Sequence, residues 1–407
     1  MALHEIPGFA PERPEFYLGD PNAAFAELRK RDPIHWHEAG GFWCVTRHAD
    51  VRQISCHPRR FCSSRGTQLF QIPLARQGAH IGGGAANLGV APSIIQMDPP
   101  AHNHHRKLVI GQFTPRVVAT LEARVREIAQ QSLAALPARA PVDFVDAVAV
   151  PLPMLVIAEL LGIPPRDHEA FRRWSDALIE AGGGGFSEKT GATLVEMFGY
   201  LGEALKRRRS EPADDLISTL LHARIDGEAL SEPEVMMFCM TLLVAGNETT
   251  RNLISGGTRA LLDHPRQLQR LVADPALLPN AVEEMLRFVT PVRSFARSAT
   301  EDVEVAGRKI AKDDFLVLFY GSANRDEAVF GPDADAFDIG RADAGQHIAF
   351  GAGEHLCLGA PLARLEARVL FEELLPRLAG LRYDGPVEPL PSVLINGVQR
   401  MPVVFGS

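Results

Sequence analysis

The chain has 407 residues, 46% hydrophobic and 23% charged, the composition of a globular protein long enough to bury a deep core with room for a large ligand. Its 42 basic and 50 acidic residues give a net charge of -8, which argues against general nucleic-acid binding while leaving room for one basic patch. Five cysteines (Cys44, Cys56, Cys62, Cys239 and Cys357), with no CxxC pair and no zinc spacing, read as reduced thiols of a cytoplasmic protein.

The N-terminal MALHEIPGFAPERPEF is broken by prolines and charges, unlike a signal peptide or anchor. A helix is predicted from Asn22 to Arg31, then a hairpin, HWHEAGGFWCVTRH, turning at Gly40-Gly41. Residues 63–97 are glycine-rich and apolar with little period, and read as a mobile wall over an apolar pocket. Helical patterns fill residues 100 to 290. Within 165–210 two helices meet at Gly182 to Gly185, a hinge-like join, so both segments are expected to be mobile substrate-access regions. Short strands follow at ARSAT, DVEVAGRKI and FLVLFYG, then a helix from about Leu358 to Leu378 and further short strands. With no repeat and no linker, one mainly α domain with minor β is expected over 1–407.

One helix stands out. Ser231 and Glu234 form a capping box with Pro233 in the first turn, and the apolar pattern runs on to Asp263-His264-Pro265. At ~1.5 Å per residue it is about 50 Å long and crosses the whole domain. Its most apolar run, MMFCMTLLVAG, is too short to span a bilayer. At its middle sits AGNETT (245–250), polar where burial should be deepest, and such a conflict marks a functional position.

The stretch FGAGEHLCLG (350–359) places one cysteine in a glycine-rich turn before a helix. It is not a dinucleotide loop, because GxGxxG needs glycine where Leu356 stands and no βαβ pattern precedes it. A cysteine nucleophile would need a base and an orienting acid, and only His355 is at hand. A metal thiolate fits better. A helix N-terminus stabilises the thiolate, glycines admit backbone amides to the sulfur, and a lone thiolate suits an axial position on haem.

FGAGEHLCLG resembles the cysteine-loop signature F-G-x-G-x-H-x-C-x-G of the cytochrome P450 superfamily, met at Phe350, Gly351, Gly353, His355, Cys357 and Gly359. AGNETT is similar to the family's A-G-x-[DE]-T-[TS], EEMLR contains its E-x-x-R at Glu284 and Arg287, and DPPAHNHHRKL its H-x-x-x-R at His102 and Arg106. The resemblance covers nearly the whole chain. It implies the triangular, mainly helical P450 fold, with haem b (iron protoporphyrin IX) between the 231–264 and 358–378 helices. It implies Cys357 as the axial metal ligand, and His102, Arg106, Arg297 and His355 on the propionates. Ala245 and Gly246 would leave space beside the iron, Thr249 and Glu248 would deliver protons, and Glu284 and Arg287 would be structural. A separate histidine metal site at His102, His104 and His105 lacks a completing carboxylate or thiolate.

The implied reaction inserts one atom of O2 into substrate. With no flavin or iron–sulfur motif in the chain, electrons would come from a ferredoxin and an NAD(P)H-dependent ferredoxin reductase. Arg106, Lys107, Arg364 and Arg368 are candidates for the docking patch, and a monomer is expected. A subfamily likeness in AGNETTRN and GSANRDE points to a steroid, terpenoid or fatty-acid-like substrate. The expected pocket wall is residues 90 to 97, Leu242, Ala245, Gly246, Thr249, Val292 to Phe295, Leu394 and Ile395, mostly apolar. Arg293 could meet a substrate carboxylate or point outward. The alternatives are a small aromatic substrate, a peroxide-driven haem-thiolate enzyme, which the acid–alcohol pair argues against, and a non-enzymatic haem sensor, for which no signalling module is attached.

Overall fold

The long helix begins where its capping box predicts. In the computed structural model, which describes residues 8–78, 91–137, 140–182 and 187–406, Ser231 Oγ accepts from the Glu234 amide while the Glu234 carboxylate accepts from the Ser231 amide at 2.7 Å. The helix runs Glu232–Asp263 and stops before Pro265, whose ring cannot follow in register. It forms the axis of the largest core cluster, which packs the Pro151–Leu160, Leu278–Val289 and Ala360–Leu378 helices around it. Pro151–Leu160 is apolar except at Glu159, whose carboxylate meets Arg124 near the surface.

The main sheet has five strands in the order Ile34–His37, Phe42–Val45, Phe315–Phe319, Ser294–Ala299, Phe61–Cys62. Phe42–Val45 runs parallel to Phe315–Phe319, and the other pairs are antiparallel. FLVLF is buried at all five positions, so it reads as a continuous apolar run rather than an alternation. Its register places Leu316 opposite Arg297, which holds that arginine at a fixed height in the sheet. A smaller sheet joins Leu381–Tyr383, Pro402–Phe405 and Val142–Asp143.

Most predicted elements lie within a residue or two of their expected limits. Segment 63–97 differs. It carries a helix, Gln71–Arg76, and a 3₁₀ turn, Ile94–Gln96. The Gln71 side chain accepts from the amides of Thr67 and Gln68, which starts a helix too short for periodicity to show. The glycine join separates helices His168–Gly182 and Glu188–Ser210, as expected, though Gly183 to Gly185 lie outside the described residues, as does part of the 63–97 wall.

Candidate active site

Gly351 (φ +74°) and Gly353 (φ +69°) turn the cysteine loop through the left-handed region that other residues resist. Gly353 has a second constraint: a Cβ there would run into the Ser55 carbonyl. The loop closes with the Cys357 amide donating to Phe350 O at 2.9 Å. Gly359 caps the Ala360–Leu378 helix, and the amides of Gly359 and Ala360 donate to the Cys357 sulfur. Burial raises the thiol pKa, while these amides and the charges of Arg106 and Arg364 favour the thiolate. Cys357 nonetheless keeps accessible surface. A thiol hemmed in by protein yet open on one side, with amides aimed at its sulfur, suits an axial ligand to a large group. Phe350 packs under the Arg364 guanidinium, 4.7 Å from its ring centroid.

Four cationic or protonatable side chains from separate segments converge beside the loop. His102 and Arg106 come from helix Ala101–Val109, Arg297 from its strand, and His355 from the loop. The His102 and His355 rings stand 4.2 Å apart, His355 Nε2 meets Ser63 Oγ at 3.1 Å, and Arg106 donates to Leu356 O at 2.6 Å. Arg297 donates to its neighbour's carbonyl, Ala296 O, at 2.8 Å. None of the four forms an ion pair among the described residues; Glu354 and Asp98 reach His102 only through space. Burial and the charges of Arg297, His102 and Arg106 push His355 down to about 2. Two arginines converging with two histidine donors and no anion fit a ligand with two carboxylates, which haem carries.

On the central helix Ala245 is exposed and Thr249 half-buried one turn on. Thr249 Oγ1 donates to Ala245 O at 2.7 Å. The Glu248 carboxylate turns to Arg251 and to Asn252 Nδ2, at 2.9 Å, and its other oxygen is buried without a partner. No hydrogen bond joins Glu248 to Thr249, because successive helix residues point to different faces. Gly246 also differs from expectation. Its missing side chain faces Ile157, so the space it leaves is filled by the Pro151–Leu160 helix rather than opened to a ligand. The apolar wall residues Leu242, Val292, Phe295, Leu394 and Ile395 are each half-buried. Val292 bridges to Ile395, and Ser93 Oγ reaches Thr241 Oγ1 at 3.1 Å, bringing 91–97 onto the central helix.

Glu284 and Arg287 are fully buried and structural. Arg287 makes two bonds to Glu284, at 2.7 and 2.9 Å, and others to the carbonyls of Asn324, Ala334 and Ala336. Of the cations expected to form a docking patch, Arg364 is bound bidentately by Glu283, and Arg368 by Glu122 and Glu372. Against its burial, Arg364 and His347 hold the Glu283 carboxyl down to about 2. Arg293 neither points outward nor faces the wall. Its Nε donates to Ser392 O and Ile395 O. The sequence reading passed over Glu366, buried beside Thr250, its carboxyl raised to about 8 by burial. The signal was present: Glu366 lies one turn after Leu362, on the apolar face.

Among the described residues no helix is long and apolar enough to cross a membrane. The family model for Cytochrome P450 matches residues 187–379. The chain is 40% identical to the Vitamin D(3) 25-hydroxylase of Pseudonocardia autotrophica, covering 95% of this chain and 94% of that one. It is 34% identical to the Linalool 8-monooxygenase of Pseudomonas putida, over 97% and 98% of the two chains. The structure of cytochrome P450 CYP109Q5 from Chondromyces apiculatus superimposes with a TM-score of 0.86 at 40% identity, covering 97% of each chain. The thiolate loop, the unbalanced cations and this full-length likeness agree: the chain belongs to the cytochrome P450 family, as a monooxygenase of the haem-binding kind.

Proposed function

We propose that the protein hydroxylates a lipophilic small molecule with a steroid, terpenoid or fatty-acid-like frame, drawing electrons from a ferredoxin and its NAD(P)H-dependent reductase. The observation that carries the substrate class is the set of half-buried apolar side chains, Leu242, Val292, Phe295, Leu394 and Ile395, contributed by three separate segments. The relatives named for vitamin D(3) and for linalool agree with it.

Haem, when bound, supplies reductive activation of O2 and transfer of one oxygen atom. The chain supplies the rest. Cys357 would hold the haem iron through its sulfur, which the amides of Gly359 and Ala360 steady. His102, Arg106, Arg297 and His355 would hold the haem's two carboxylates, and Phe350 and Gly351 shape the cysteine loop. Ala245, exposed on the central helix, would leave room beside the haem for substrate. Thr249 holds a hydroxyl at that face, and Glu248 supplies a carboxyl one residue earlier; rotating off Arg251 would free it to move a proton.

Titration of the purified ferric protein with steroids, terpenes, fatty acids and small aromatics, followed at the Soret band, tests the reading. A low-to-high-spin shift with a steroid, terpene or fatty acid is expected. No shift with any of them, or a shift with small aromatics alone, overturns the lipophilic assignment.

A further inference from the structure

Among the described residues five arginines have less than a tenth of their surface exposed: Arg29, Arg287, Arg297, Arg325 and Arg341. Four carry a carboxylate, from Glu327, Glu284, Asp335 and Asp333 respectively, with Arg341 also touching Glu284. Arg297, the exception, belongs to the cluster assigned to haem. Arg293 is a sixth guanidinium, half-buried, and desolvation lowers its pKa to about 10. It too has no carboxylate among the described residues.

The Arg293 guanidinium stacks on the Tyr17 ring, 4.2 Å from the centroid, and its Nε is spent on two carbonyls, each at 3.1 Å. Its two Nη groups donate to no described protein atom. Arg293 lines a cavity of about 190 Å³ together with Tyr17, Arg259, Thr290, Arg325 and Asn396 among others. That is far above the ~10–15 Å³ that admits one water. No aspartate or glutamate lines it. Arg259 and Arg325 have carboxylates outside the cavity, Asp263 and Asp335. The excess charge inside is therefore that of Arg293. The cavity lies behind the turn that carries Leu394 and Ile395, away from Cys357.

We propose that this cavity binds a small oxyanion, a phosphate or a carboxylate, held by the Nη groups of Arg293 with Arg259 at the rim. Guanidinium geometry matches both chemistries, and a planar fork with free donors at a polar cavity is arranged for bidentate capture. A half-buried guanidinium with no carboxylate beside it gains a charge partner when such an anion arrives.

The test is calorimetric titration of the haem-loaded protein with inorganic phosphate and, separately, with acetate, at constant ionic strength in chloride. Saturable binding of at least one is expected, with a melting temperature raised by about 2 °C near saturation. Preference for phosphate identifies a phosphorylated ligand, and preference for acetate a carboxylate. Arg293→Gln should weaken binding at least tenfold. If that variant does not fold, Arg259→Gln, at a half-exposed side chain, should still weaken it several-fold. Absence of saturable binding for both anions overturns the proposal, as does equal binding by the wild type and the variant.

Discussion

Arg287 and Arg297 are both buried, yet their surroundings are of opposite kinds. Around Arg287 every donor has an acceptor: Glu284 twice, then three backbone carbonyls. Around Arg297 stand His355, His102 and the cationic Arg106 with no anion paired to them among the described residues, and its own bond goes to a carbonyl one residue away. The first cluster is complete within the protein and holds the Leu278–Val289 helix to the 324–338 segment. The second is complete only with an anion. Buried charge that balances marks scaffold, and buried charge that does not marks a ligand.

The contrast is broken most severely from the balanced side. Arg287→Ala leaves the Glu284 carboxylate buried without its main partner and the carbonyls of Asn324 and Ala334 without donors, while Ala336 O keeps Arg341. A loss of about 3–5 kcal/mol is expected, seen as a lowered urea midpoint or as failure to recover soluble protein. A loss below ~1 kcal/mol would mean that Arg341 and the Asp338 amide, which also reach Glu284, suffice to hold it.

From the unbalanced side the sign reverses. Arg297→Gln removes a charge that the protein itself does not compensate, so the haem-free protein should be as stable as the wild type or more so. Haem retention should fall about 10- to 100-fold, the worth of a hydrogen bond to a charged group. Urea unfolding of the haem-free protein and the rate of haem transfer to a scavenger globin measure the two effects. If Arg297→Gln destabilises the haem-free protein as Arg287→Ala does, Arg297 is scaffold and the distinction fails.

The two clusters were not equally legible in the sequence. Cys357, Glu284 and Arg287 sit in local patterns whose spacing fixes their geometry, and the capping box at Ser231 set the start of the central helix. The bounds of the expected strands followed from apolar runs between turns. What sequence could not supply was direction. Gly246 faces Ile157 rather than the cavity, because rotation about a helix axis is decided by what packs on each side. Glu248 turns to Arg251, a partner three residues on that local spacing permits but does not require. Arg364 and Arg368 are neutralised by acids, two of them, Glu283 and Glu122, on other helices. Such pairings are tertiary facts with no one-dimensional trace.

Glu366 extends the comparison to an acid. It is buried where the cysteine-loop helix meets the central helix, touches Thr250, and among the described residues leaves Oε1 without a partner and has no cation beside it. Burial raises its carboxyl to about 8 from an ordinary value near ~4.3. The folded protein therefore keeps a proton there that the unfolded chain gives up. The associated stability is fully present below about pH 4 and is lost as pH rises toward 8, by on the order of 1.4 kcal/mol per pH unit. Glu366→Gln keeps the shape and removes the titration. Urea unfolding at pH 5, 6, 7 and 8 should show the variant gaining on the wild type as pH rises, with the two nearest at pH 5. Parallel curves would mean that Glu366 ionises in the folded state near its ordinary pH, which requires a cation or water to reach it. The acid would then belong with the balanced groups, and its place behind Thr250 would be structural.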